Sequence, residues 1–212
     1  MRTRSLLVAL AALACFVALG LDVVRHGEPA AMFAWERSLV DRSTLVAWWL
    51  TWVCYPVVLV PIAVILAIFA WRVPPWRGRI VFSIVMLLLC WRGADFAQHL
   101  FARPRRLDWV VKHERSFSYP SSHAAIATGF YGLWAYMLSL SELPRQTRVT
   151  LASLIVVLAV AVCWSRLALG AHYLTDLIGG ALLAIALVAA GLTALPGVIR
   201  APVAGRARNA EE

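Results

Sequence analysis

Long apolar stretches alternate along this chain with short polar segments, and each stretch approaches the roughly 20 residues that a bilayer core requires. Six can be drawn, at residues 5–24, 44–71, 80–101, 121–140, 149–168 and 172–196. The pattern predicts an all-α membrane protein built as a six-transmembrane helix bundle, with both termini on one side. The second run is long and holds Pro56 and Pro61, so a kink or tilt is expected there. The first run follows Arg2 and Arg4 as a secretory signal would. It is longer than a usual signal core and lacks a good cleavage context, which favours a retained helix. Residues 1–200 are expected to form a single transmembrane domain, and residues 201–212 a polar cytoplasmic tail.

Composition agrees with this reading. Of 212 residues 62% are hydrophobic and only 15% charged, more apolar than a soluble domain of this size. The net charge of +9 comes almost entirely from arginine, because Lys112 is the sole lysine. On a soluble chain that charge would suggest nucleic acid. Here the arginines cluster between apolar runs, where orientation and contact with anionic lipid or phosphate account for them better, and no nucleic-acid partner is expected. Cys15, Cys54, Cys90 and Cys163 all fall inside apolar runs without metal-ligand spacing and read as small core residues.

Three polar islands interrupt the pattern: HLFARPRR at His99–Arg106, FSYPSSHAA at Phe117–Ala125, and SRLALGAHYLTD at Ser165–Asp176. Charged groups beside hydrocarbon are costly and usually mark function. The raw arginine count on the two sides is nearly balanced. Setting aside the arginines beside the islands puts the N-terminus inside and all three islands at the outer face, as one composite site. Residues 29–42 place Met32, Phe33, Trp35, Leu39 and Val40 on a rough helical face, with Glu36, Arg37, Asp41 and Arg42 between, which suits a helix in the outer interface.

The islands carry recognisable chemistry. Pro120 suits the first turn of a helix. Ser121 and Ser122 would then offer hydroxyls and backbone N–H groups to an anion, and His123 beside them can donate a proton. The same string also fits a capped helix start with an interfacial histidine. Arg166 can grip phosphate oxygens with its planar fork. His172 can attack phosphorus, and Asp176, four residues on and so on the same helical face, can hold its other ring nitrogen. That pair would also satisfy itself inside a bundle, and with His123 it could supply three metal ligands. The surrounding arginines favour an anion, so no metal is expected. Arg92, Asp95 and His99 form a further stripe, read as a support for the first island or, preferably, as an ion pair that neutralises itself.

In order and spacing the islands resemble the three motifs of the type 2 phosphatidic acid phosphatase superfamily, which are integral-membrane lipid phosphatases. The third motif, Ser-Arg, five residues, His, three residues, Asp, is similar at Ser165, Arg166, His172 and Asp176. The second, Pro-Ser-Gly-His, is similar at Pro120, Ser121 and His123, with Ser122 in place of glycine. The first, Lys, six residues, Arg-Pro, departs. Aligning on Arg105 puts Gln98 at the lysine and Arg106 at the proline; aligning on Arg103-Pro104 puts Phe96 at the lysine. Arg105 is preferred because Gln98 still donates a hydrogen bond, and Arg103 or Arg106 is expected to supply the missing charge. The resemblance covers about residues 80 to 195, its motifs lying within 98–176.

The resemblance implies a multi-pass phosphatase of the bacterial inner (cytoplasmic) membrane, with its site facing the periplasm or outside. Its partners would be the bilayer and a lipid phosphate or diphosphate, of the phosphatidate, phosphatidylglycerol phosphate, undecaprenyl diphosphate or lipid A type, and no cofactor is implied. His172 would form a phosphohistidine, Asp176 would orient it, and His123 would protonate the leaving group. Arg105, Arg166, Ser121 and the backbone N–H of Ser122 would stabilise the transition state. A phosphotransferase using the same intermediate is the alternative. An inactive lipid-phosphate binder or a transporter fits less well, since neither needs the intact His123, His172 and Asp176.

Overall fold

Helices begin and end in this chain largely where proline and glycine dictate. The computed structural model describes residues 2–40, 44–106 and 116–199; Asp41, Arg42, Lys112 and the expected tail at 201–212 lie outside the described residues. The elements in order are α1 (Arg2–His26), α2 (Ala30–Leu39), α3 (Thr44–Trp52), α4 (Pro56–Arg72), a 3₁₀ turn (Pro74–Trp76) and α5 (Arg77–Phe101). There follow α6 (Ser122–Ile126), a π-helical segment (Ala127–Gly132), α7 (Leu133–Ser139), α8 (Arg145–Ala168) and α9 (Leu174–Ala194). No strand occurs among the described residues.

Five stretches are long and apolar enough to cross a membrane: Arg2–His26, Leu45–Arg72, Pro74–Phe101, Arg145–Ala168 and Leu174–Ala194. The sixth crossing is α6, the π-helical segment and α7 run together without a break. The kink expected in the second run is a full interruption. Tyr55 takes an extended conformation (φ −87°, ψ 152°) ahead of Pro56, as a residue before proline prefers, and α4 starts anew with that proline in its first turn. The interruption lets α3 lean on α8.

Apolar contact between helices gains little from water exclusion in lipid, so close packing and internal hydrogen bonds must hold the bundle. α1 lies along α9. Its Phe16 stacks on Tyr119 at 5.5 Å, and the Tyr119 hydroxyl donates to the Phe16 carbonyl at 2.6 Å. Cys90, Ala94 and Ala97 of α5 and Leu183 and Ala184 of α9 complete that layer. The outward faces keep exposed Val64, Ile65, Val157 and Val160 for lipid. α5, α6, α8 and α9 bring one end each to a common face, where all three polar islands meet. The opposite end holds apolar crevices of about 430 and 600 Å³, lined by residues such as Val188, Leu192, Phe82 and Met86 and by no residue of the islands.

Two smaller expectations are corrected. Arg92 is exposed and lies over the Trp91 ring at 5.3 Å, and among the described residues it forms no ion pair with Asp95; His99 turns its Nδ1 to the Asp95 carbonyl at 2.8 Å. In α2 the residue turned fully inward is not apolar but Glu36, which is 0% exposed.

Candidate active site

The third island is built by a helix end followed by a helix start. α8 closes with Gly170 at φ 63°, while the Ala171 N–H bonds the Arg166 carbonyl (3.0 Å) and the Gly170 N–H bonds the Leu167 carbonyl (2.9 Å). This is a Schellman closure, which needs a residue free of the left-handed penalty. It reverses the chain so that Ala171 and His172 face the start of α9. His172 therefore precedes the helix rather than sharing its face with Asp176, a correction to the spacing argument. The pair still meets, His172 Nδ1 lying 3.3 Å from Asp176 Oδ2.

The other ring nitrogen settles the tautomer. Arg105 Nη1 lies 3.2 Å from His172 Nε2. A guanidinium only donates, so Nε2 carries the lone pair and Nδ1 carries the proton, facing the carboxylate. Arg105 is steadied by the Ser116 carbonyl and hydroxyl, both at 2.7 Å, and by the Ala171 carbonyl at 3.0 Å. His172 stands in the turn between α8 and α9, 1% exposed. Burial, then the Arg105 charge, pull its imidazole down to about 4 against the opposing pull of Asp176. Asp176 is itself saturated. Its Oδ2 also accepts from the Tyr173 N–H (2.9 Å) and the Ser118 hydroxyl, and its Oδ1 from Arg103 Nη1 at 2.6 Å.

The second island packs against α9. Pro120 lies just outside its helix, after a cis Tyr119–Pro120 bond, and Ser121 rather than Pro120 makes the start. The Ser121 hydroxyl accepts from the Ala124 N–H as an N-cap, and the Ser121 N–H bonds the Asp176 carbonyl at 2.9 Å. Ser122 opens the helix. Gly180 makes this approach possible, since a Cβ there would run into the Ser121 carbonyl. His123 is buried, with its ring edge-to-face on Tyr55 at 5.1 Å. It lies within electrostatic reach of Arg166, His172 and Arg105, and among the described residues nothing hydrogen-bonds its Nε2. Arg166 is 1% exposed and donates from Nη1 to the Thr51 hydroxyl at 2.7 Å. Thr51 was not legible as a site residue, because one threonine in an apolar run carries no signal.

Three side chains expected at the phosphate are bonded to protein groups here. Gln98 donates from Nε2 to the Pro120 carbonyl at 2.9 Å. Arg103 forks between Asp176 and Glu28, at 2.6 and 2.9 Å, and lies over the Tyr173 ring at 4.2 Å. Arg106 pairs with Glu36 at 3.0 Å. Both guanidiniums are therefore turned onto carboxylates. Glu28 and Glu36 are the residues the motifs did not announce. Glu36 had a signal, since it shares helical spacing with Met32, Phe33, Leu39 and Val40 and so lies on the face turned inward.

Known proteins are similar to this chain. The PAP2 superfamily profile matches residues 96–198. Phosphatidylglycerophosphatase B of Bacillus subtilis strain 168 is 41% identical over 70 residues. Those residues are 32% of this chain and 34% of that relative, so the alignment spans about a third of the relative's length. A solved structure described as the first transmembrane PAP2 type phosphatidylglycerolphosphate phosphatase from Bacillus subtilis is similar with a TM-score of 0.72. It is 23% identical, with 85% of this chain and 92% of that one covered, a likeness that establishes the fold.

Proposed function

Residues 96–198 belong to the PAP2 superfamily, and from that premise we propose that this chain is a membrane-embedded phosphatase of a lipid phosphate or lipid diphosphate. The observation that carries the proposal is the Arg105–His172–Asp176 line, in which Nε2 holds a lone pair and Nδ1 a proton. His172 Nε2 attacks phosphorus and the phosphorus–oxygen bond to the leaving group breaks. His123 gives its proton to the departing oxygen. Asp176 stabilises the phosphoimidazolium that forms. Water then attacks the phosphohistidine, His123 takes up a proton from it, and inorganic phosphate leaves.

Arg105 and Arg166 neutralise the phosphoryl oxygens, with Ser121 and the start of α6 beside them. As substrate arrives, phosphate oxygens replace His172 Nε2 as the acceptor of Arg105. Fixed donors of this kind are typically the largest catalytic contribution. The substrate is a lipid because the islands sit at the ends of membrane-spanning helices, and the name of the curated relative supports phosphatidylglycerophosphate as the first candidate to test.

The test is phosphate release by purified protein from a panel of lipid mono- and diphosphates, with and without EDTA. Release is expected from at least one member and is expected to survive chelation, because arginines supply the charge. No release from any member overturns the enzyme reading. Loss on chelation with rescue by a divalent ion overturns the metal-free mechanism.

A further inference from the structure

Glu28 and Glu36 lie outside every motif that carries the proposed chemistry, yet both are buried against it. Burying a carboxylate is costly unless its partners are well placed. Here the partners are the groups that hold the nucleophile. Arg103 extends Nη1 to Asp176 Oδ1 (2.6 Å) and Nη2 to Glu28 Oε2 (2.9 Å), so one planar fork bridges two carboxylates. Glu28 also accepts from the backbone N–H of Thr175 (3.4 Å) and from its hydroxyl, on the first turn of the helix that carries Asp176.

Glu36 repeats the arrangement on the other side of the turn. Its Oε2 accepts from Arg106 Nη1 at 3.0 Å, and the same nitrogen reaches the His172 carbonyl at 3.4 Å. Its Oε1 accepts from the Leu174 N–H at 2.7 Å. At the start of α9 Asp176 reaches back to the Tyr173 N–H, and these two distant carboxylates satisfy the next two N–H groups, of Leu174 and Thr175. Phe33 of α2 closes the contact, with its ring 6.0 Å from Tyr173.

We propose that Glu28 and Glu36 are positioning residues for phosphoryl transfer, Glu28 acting through Arg103 on the charge and orientation of Asp176, and Glu36 through Arg106 on the backbone at His172. The electrostatic reason is specific. With Asp176 as its only partner, Arg103 would set its whole charge against the carboxylate that must offset the phosphoimidazolium. Glu28 shares that guanidinium and leaves Asp176 more negative toward His172. Burial, with Glu28 nearby, pushes the Glu36 carboxyl up to about 7, against the Leu174 N–H and Arg106.

This role rests on His172 being the nucleophile. The experiment measures kcat, KM and the pH profile of phosphate release for full-length Glu28→Gln, Glu28→Asp and Glu36→Gln, with His172→Ala as reference. Among the described residues the charged groups around His172 are Asp176, Glu28, Glu36, Arg103, Arg105, Arg106 and Arg166, with His123 beside them. Glu28→Gln removes one of these charges, so a moved acid limb in that variant reports it.

In Glu28→Gln, kcat is expected to fall about ten- to hundred-fold, the rate equivalent of one charged hydrogen bond. KM should change little and the acid limb of kcat/KM should move to lower pH. Glu28→Asp should restore the limb. Support alone would lower the melting temperature and leave the limb in place. Glu36 acts on the backbone at His172, so Glu36→Gln should lower kcat at unchanged KM with the limb in place, and if Glu28→Gln does not fold that kcat loss decides. Wild-type limbs and kcat in the folded glutamine variants, with His172→Ala inactive, overturn this role alone. Turnover by His172→Ala overturns the nucleophile and this role with it.

Discussion

Gln98 Nε2 donates to the Pro120 carbonyl at 2.9 Å, tying the last turns of α5 to the loop that delivers Ser121 and His123. When the first motif is aligned on Arg105 this is the position of its lysine, and in this chain it holds backbone. Arg103 and Arg106, expected to supply that charge, are both turned onto carboxylates in this structure. In the proposed mechanism the positive charge for a phosphate falls on Arg105 and Arg166.

Gln98→Leu should leave the Pro120 carbonyl buried without its donor, a loss of about 1–3 kcal/mol. Melting temperature and phosphate release should both drop. Gln98→Lys keeps a donor at the same place and should retain activity. Wild-type stability and release in Gln98→Leu would show that the loop does not depend on this bond.

Asp176→Asn keeps the shape of the side chain but favours the wrong imidazole tautomer. Release should fall by about 10⁴, as in a comparable His–Asp relay. His172→Ala should abolish it in a folded protein. A labelled phosphoenzyme that still accumulates in His172→Ala would place the nucleophile elsewhere.

The pH dependence follows from the state of His172. Attack needs Nε2 unprotonated, and burial with Arg105 lowers the imidazole to about 4 from the usual 6.5. The acid limb of kcat/KM should therefore lie near pH 4, with activity kept as pH falls through 6.5. Unfolded chain takes up a proton in that window that the folded site refuses. The stability due to His172 is thus present above the unfolded value and lost as pH falls toward about 4. An acid limb at an ordinary histidine value would contradict this environment.

Gly180→Ala places a methyl group against the Ser121 carbonyl, which is backbone and cannot swing aside. Overpacking of this kind costs about 1–3 kcal/mol. Activity should fall further than stability, because the displaced segment carries Ser121 and His123. Thermal unfolding and release assays of the variant measure the two losses, and an active, fully stable Gly180→Ala would show that the contact relaxes freely.

Cysteine-accessibility labelling in intact cells tests the orientation. Residues 72–79 and 141–148 should be reachable only from the cytoplasm, and residues 103–106 and 116–120 only from outside. The reverse pattern would move the substrate to the inner leaflet.

Hydrophobic period, proline and the order of the polar islands determined the helix count, the approximate spans and the gathering of three islands at one end. These are local properties, because a helix in lipid must satisfy its own backbone and needs about 20 apolar residues to do so. His123, Arg166, His172 and Asp176 were legible for the same reason, as charged groups beside hydrocarbon. Partners were not. Nothing local distinguishes Arg105, aimed at His172, from Arg103 and Arg106, which turn to Glu28 and Glu36. Nor does local sequence show what completes the start of α9, because Asp176 reaches back to Tyr173 but the acceptors for the Leu174 and Thr175 N–H groups come from the α1–α2 region. Periodicity reports which face a side chain occupies. Only the tertiary structure decides what stands opposite it, because a buried charge takes whichever counter-charge the packed helices bring within reach.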